Sequence, residues 1–161
     1  MEQMTEPSRE VAGAPGQIVV RMVTADDPVL LAVRDLCYET LHRPFGVLRN
    51  DAWDEADPRS THFVAMDGAR LAGYVRLIAQ GDSGQIRQVA VDPAYRNLGI
   101  ATRLVSAAVE QARRAGLRVA FLHARTRAVG MYERLGFRIT GGPFRMGRTY
   151  LSNVRMEELL R

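Results

Sequence analysis

The chain contains no lysine, and all 22 of its basic residues are arginine. It has a single cysteine, Cys37, and one tryptophan among 161 residues. One cysteine excludes an internal disulfide and any cysteine-rich metal site. No run approaches the roughly 18 apolar residues that a membrane helix needs, and no charged-then-apolar leader opens the chain. These absences lead us to expect a cytoplasmic protein without membrane attachment. The arginines are scattered, with few aromatics between them, which argues against nucleic-acid binding. Arginine's planar fork nonetheless suits phosphate and carboxylate contacts. Apolar content of 47 %, charged content of 25 % and a net charge of +4 describe an ordinary globular chain.

Residues 1–16 are polar and aperiodic, with two prolines and two glycines, and read as a mobile tail. The expected single domain covers residues 17–161. Gln17 to Thr24 suits a strand. Asp26 or Asp27 caps a following helix whose apolar positions are Leu30, Val33, Leu36 or Cys37, and Leu41. Periodicity fails from Thr40 to Ser60, a polar connection with Trp53 and several acidic groups, long enough to be a binding loop. Thr61 to Met66 and Arg70 to Ala79 read as strands joined at Asp67-Gly68. Ser83-Gly84 is expected to turn the chain into a third strand, Gln85 to Val91.

That third strand leads into the most informative stretch, Gln88 to Thr102. The β-branched run Val89-Ala90-Val91 suits a buried strand, and Asp92-Pro93 stops it. From Ile100 the apolar spacing is helical, through Leu104 and Ala108 to a stop at Gly116. A strand thus runs through a tight turn into a helix N-terminus, with Arg96 and Gly99 at the join. The first N–H groups of a helix lack internal partners and carry about half a positive charge. The backbone of Asn97, Leu98, Gly99, Ile100, Ala101 and Thr102, with the Arg96 cation, makes a candidate phosphate cradle. Downstream, Leu117 to His123 reads as a strand parallel to Gln85–Val91. Arg127 to Leu135 follows as a short helix, and Phe137 to Thr140 as a strand broken at Gly141-Gly142-Pro143. Tyr150 to Leu159 returns antiparallel. The fold class is α/β, or α+β on a stricter definition: a mixed, mostly antiparallel sheet flanked by helices.

Together, V-A-V-D-P-A-Y-R-N-L-G-I-A-T and A-V-G-M-Y-E-R-L-G-F (Ala128 to Phe137) resemble two elements of the GNAT acetyltransferase superfamily. They are its cofactor loop, Q/R-x-x-G-x-G/A, and its later A-x-x-x-Y-E-x-x-G-F. The resemblance implies two central parallel strands that splay apart, with acetyl-CoA as co-substrate and no metal. Its pantetheine arm would pair with backbone at Val89, Ala90 and Val91, as an added strand does. The Val91 N–H would polarise the thioester oxygen and Tyr132 would protonate the departing thiolate. Arg125 stands where many members have asparagine and would contact the cofactor. A glutamate found near the start of the central strand in some members is replaced here by Gln85, which cannot be a base. His62 and His123 are each open to two readings: a base acting directly or through water, or a satisfied structural histidine. Trp53, Glu55, His62 and His123 are candidate substrate-binding residues, and Asp51, Glu55 and Asp57 are candidate ligands for a cationic acceptor.

R-x-L-C-Y…P-F-G, T-H-F-V-A and F-R-M-G…S-N-V-R-M look like the ElaA-like branch, which often has histidine where Asn153 stands. The resemblance implies acetyl transfer to a primary amine of a small molecule or protein, and a homodimer is compatible with it. A non-catalytic acyl-CoA-binding or sensor domain, or an acyltransferase using a longer acyl-CoA, shares the same motifs.

Overall fold

The computed structural model describes residues 17–49, 59–145 and 151–160. The expected tail, and Asp51, Trp53, Glu55 and Asp57 of the loop, lie outside the described residues. Among the described residues the core is a seven-stranded sheet in the order β1-β2-β3-β4-β5-β7-β6. The strands are β1 (Ile18–Val23), β2 (Ser60–Asp67), β3 (Arg70–Gln80), β4 (Ser83–Val91), β5 (Val119–Arg125), β6 (Arg138–Arg145) and β7 (Ser152–Leu159). Only β4 and β5 pair in parallel; every other neighbour pair is antiparallel. The helices are α1 (Val29–Cys37), α2 (Ile100–Arg114) and α3 (Val129–Arg134).

The two sheet faces are covered differently. Leu30, Val33 and Cys37 of α1 are buried against Val64, Tyr74 and Ala90 on one face. Asp27 caps this helix as expected, its Oδ1 accepting from the Val29 N–H at 2.9 Å. Burial pushes the Cys37 thiol up to about 12, so it is an inert core residue. On the other face α2 presents Ile100, Leu104, Val105 and Ala108 to Val75, Leu77 and Ile86. Gly73 makes that contact close: a Cβ there would stand 2.9 Å from Leu104 Cδ1 and 3.1 Å from the Ala90 carbonyl oxygen. Burying each large aliphatic chain of α2 is worth about 1.5–3 kcal/mol.

Two expectations need correction. The turn between β3 and β4 is at Gly81-Asp82, with Gly81 at φ 61°, and Ser83-Gly84 already belongs to β4. Gly141-Gly142-Pro143 does not end β6. The strand runs on to Arg145, absorbing these residues as register shifts against β7, its only neighbour among the described residues. An edge strand tolerates such shifts and a proline because one side of its ladder is free.

The long connection after α1 is not wholly irregular. The helix widens into a π-type turn over Tyr38–His42 and tightens into a 3-10 turn over Arg43–Phe45. Thr40 Oγ1 donates to the Leu36 carbonyl at 2.7 Å within this widened turn.

Candidate active site

Two irregularities in β4 open the sheet at its centre. The parallel ladder runs through Ser83↔Val119, Gly84↔Ala120 and Gln85↔Phe121 and then stops. Both strands continue beyond it, β4 to Val91 and β5 to Arg125. On the β3 side, Tyr74 pairs with Ala90 and Arg76 with Arg87, so Gln88 and Val89 together oppose Val75. This bulge holds Gln88 at φ 57°, a left-handed conformation rare for a side-chain-bearing residue. Val89 and Val91 face the α2 side, while Ala90 joins the α1 side. Extended backbone of β4 therefore borders a gap, as a chain that is to accept an added strand must.

The gap runs towards the turn before α2, which is held from beneath. Asp92 Oδ1 accepts from the Ala94 N–H at 2.9 Å, and the Asp92 N–H donates to the Ala72 carbonyl at 2.9 Å. Tyr95, buried, donates its hydroxyl to buried Asp67 at 2.6 Å, tying the turn to the β2–β3 hairpin. Beyond it Asn97 (φ 63°) and Gly99 (φ 75°) are both left-handed. Gly99 is the N-cap and offers no side-chain acceptor, and the first bond closing α2 runs from the Arg103 N–H to the Gly99 carbonyl at 3.1 Å. The N–H groups of Ile100, Ala101 and Thr102 precede that bond and are the ones a helix leaves without internal partners. A Cβ on Gly99 would meet nothing within 4 Å, so the protein leaves this side of the cradle open. Such a set of donors fits the pyrophosphate of a coenzyme A thioester. Arg96 lines an open cleft of about 540 Å³ between this turn and α1, shared with Leu36, Thr40 and Pro44.

Tyr132 lies on the α2 side of the gap, buried, with its ring edge-on to Phe137 at 6.1 Å. Burial pushes its hydroxyl up to about 12, which keeps it protonated across the physiological range.

The opposite side of the gap carries a transverse polar row. His62 on β2 stands beside Arg76 on β3, and Arg76 beside Arg87 on β4. Across the gap His123 on β5 stands beside Arg155 on β7. His62 is buried and its Nδ1 lies 2.5 Å from the Tyr74 hydroxyl, a committed position two strands from the gap. His123 borders the gap itself, edge-on to Phe144 at 5.2 Å, and its Nδ1 is buried without a hydrogen-bond partner. Burial, and then the charges of Arg155 and Arg87, hold its imidazole below the usual histidine range. Gln85 is occupied by Gln80, whose Nε2 donates to its Oε1 at 3.2 Å. Asn153 is buried and donates Nδ2 to the Leu151 carbonyl at 2.9 Å. Arg125 ends β5, its guanidinium 4.6 Å from the centre of the Phe45 ring, which arrives from the connection after α1.

The structure thus gathers Val89 to Val91, Asn97 to Thr102, Tyr132, His123 and Arg125 around one gap and sets His62 apart. Sequence reasoning did not find Phe45, Arg87, Phe144 or Arg155 as neighbours of the site. Their faces depend on strand order and on the bulge, neither of which local sequence reports.

Comparison with known proteins agrees with this geometry. The profile of the Acetyltransferase (GNAT) family matches residues 30–137, and the chain belongs to that family. A provisionally assigned acetyltransferase of Bacillus subtilis is 28 % identical over 98 residues, covering 59 % of this chain and 67 % of its own length. The mycothiol acetyltransferase of Geodermatophilus obscurus is 34 % identical over 85 residues, which are 47 % of this chain and 28 % of that enzyme. An uncharacterized N-acetyltransferase of Methanocaldococcus jannaschii is 31 % identical over 86 residues, 52 % of this chain and 36 % of the relative. The matched part of the chain therefore spans between 28 % and 67 % of the length of these curated relatives.

Among solved structures, a provisionally assigned N-acetyltransferase from Lactobacillus plantarum superposes with a TM-score of 0.77 at 22 % identity, covering 89 % of this chain and 99 % of that one. Escherichia coli ElaA gives 0.70 at 18 %, covering 88 % and 99 %. At these identities the likeness is one of fold, and ElaA stands level with other family branches.

Proposed function

We propose that the protein transfers an acetyl group from acetyl-CoA to a primary amine of a small molecule or protein, by direct attack within the β4–β5 gap. The observation that carries this reading is the coincidence of the gap with the left-handed turn at Asn97 and Gly99, which lets one extended ligand meet both. Acetyl-CoA supplies the thioester. The N–H groups of Asn97 to Thr102, with Arg96, hold the pyrophosphate, and the backbone of Val89 to Val91 pairs with the pantetheine arm. The Val91 N–H donates to the thioester oxygen, where negative charge develops.

An alkylammonium near pKa ~10 has no lone pair and must first lose a proton. His123 is kept neutral at the gap and takes that proton, directly or through water. The amine then forms the C–N bond as the C–S bond breaks, and Tyr132 gives its proton to the sulfur. Tyr132 is reprotonated by the second proton the nitrogen sheds. The balance is one acetamide, one free thiol and one proton released to solvent for each ammonium consumed.

The test is steady-state thiol release from acetyl-CoA across a panel of amines, beside calorimetric binding of acetyl-CoA. Binding with thiol release supports the reading. Binding with no release from any amine overturns it in favour of an acyl-CoA-binding domain.

A further inference from the structure

Arg125 is the terminal residue of β5, past the end of the β4–β5 ladder. Alternation along β5 places Ala120, Leu122 and Ala124 on the α2 side. Phe121, His123 and Arg125 therefore share the other face, and the last two lie about 6.6 Å apart along the strand. Phe45, from the connection after α1, puts its ring over the Arg125 guanidinium, 4.6 Å from its central carbon, at the end of β5 that borders the gap. Stacking on an aromatic face fixes the plane of a guanidinium and leaves its edge free to form a two-pronged contact.

Several arginines of the chain are neutralised by carboxylates. Arg43 pairs with Glu39, Arg70 with Asp92, Arg113 with Glu158 and Arg155 with Glu157. Arg125 has no carboxylate within ion-pair distance among the described residues. Burial, followed by the like charge of Arg127, works against its protonated form. Asn153, its neighbour on β7, is committed to the Leu151 carbonyl. A half-buried cation with no carboxylate in ion-pair distance is stabilised by an incoming anion.

We propose that Arg125, instead of making the cofactor contact that the resemblance implies, reads a carboxylate on the acceptor, so that the preferred substrate is an amine bearing a carboxylate, an amino acid or a compound of that chemistry. This rests on the acetyl-transfer reading of the gap. The acceptor nitrogen lies at His123 and its carboxylate lies against the guanidinium edge. The other anion within reach is a phosphate of the coenzyme. The acetyl-CoA affinity of an Arg125 variant separates the two.

The experiment compares matched acceptors at saturating acetyl-CoA: leucine against 3-methylbutylamine, and phenylalanine against 2-phenylethylamine. The carboxylate-bearing member is expected to have the higher kcat/KM by at least about tenfold. Arg125→Met is expected to raise its KM and erase the preference, leaving the acetyl-CoA Kd within about twofold. Arg125→Lys keeps the charge without the fork and should fall between. Equal kcat/KM within each pair overturns the proposal. So does an Arg125→Met variant whose acetyl-CoA Kd weakens while acceptor KM stays fixed, which assigns the arginine to a coenzyme phosphate.

A second measurement does not need turnover: calorimetric titration of the CoA-saturated protein with leucine and phenylalanine. Binding lost in Arg125→Met supports the carboxylate site even if no amine is acetylated. No binding, or binding indifferent to the substitution, overturns it. Failure of the transferase reading is seen separately, as acetyl-CoA binding without thiol release.

Discussion

His123 and Arg155 stand opposite each other in the β5–β7 ladder. The arginine carries its charge past the imidazole, lying 4.0 Å over the centre of the Phe121 ring and binding Glu157 at 3.0 Å. Arg87 approaches the same histidine from β4. Burial is the larger influence on the imidazole, and both cations add to it.

A pH profile follows from that arrangement. If His123 accepts the proton, kcat/KM has an acid limb with its midpoint below 6.5, the ordinary histidine value. The charged groups around it are Arg87, Arg155, Arg125 and Glu157. Arg155→Met removes a cation that lowers the imidazole pKa, so the limb should move to higher pH. A limb that stays in place, or moves down, assigns the proton to another acceptor.

Tyr132→Phe keeps the ring against Phe137 and removes one donor. Acetyl-CoA affinity should hold, because the ground-state thioester needs no proton. Turnover should fall on the order of 10²-fold, the low end of what a positioned acid contributes. Full activity in the variant would sink the proton-donor role.

Gly99 has two properties that one substitution cannot separate: a left-handed backbone and an open side. Gly99→Val strains the backbone whatever the space. Gly99→Asn tolerates the left-handed conformation and places bulk in the cradle. We expect the asparagine variant to keep near-parental thermal stability and to lose at least about tenfold in acetyl-CoA affinity. Unchanged affinity in that folded variant would remove the turn from the site.

Arg96→Ala should weaken CoA binding and leave pantetheine, which lacks the pyrophosphate, almost unaffected. Equal losses for both ligands would make Arg96 a residue of the fold rather than of the phosphate site.

The Tyr95 hydroxyl is a donor to a buried carboxylate, so Tyr95→Phe leaves Asp67 short of a partner. The expected cost is about 1–3 kcal/mol by denaturant unfolding. A change near zero would mean that Asp67 is satisfied by water.

Much of this architecture was legible because each signal was local. Proline after Asp92, the β-branched run at Val89 to Val91 and helical spacing from Ile100 each report on their own few residues. The split was expected only through the family resemblance. The bulge beside it, with Gln88 at positive φ, leaves no mark, since glutamine is not a residue chosen for that conformation. Gly141-Gly142-Pro143 misled for the opposite reason. Its composition reads as a break, and only an edge position lets the strand absorb it. The meeting of Arg125 with Phe45 depends on a widened turn eighty residues upstream, beyond the reach of any pattern window.

The bulge at Gln88 has a consequence for how the fold and its chemistry are separable. Ile86 faces α2 and Arg87 does not; beyond the bulge Val89 again faces α2, Ala90 does not, and Val91 does. Omit Gln88 and the alternation is unbroken, every remaining side chain keeping its face. The sheet could then be written one residue shorter, with no residue at positive φ in β4 and no buried amide oxygen of Gln88 without a partner. A non-glycine residue held in that conformation costs on the order of 1–3 kcal/mol. Packing alone would not retain the extra residue. It is a spacer whose use lies in what it keeps apart, and a chain lacking it is expected to be a sturdier protein with nowhere to put a substrate.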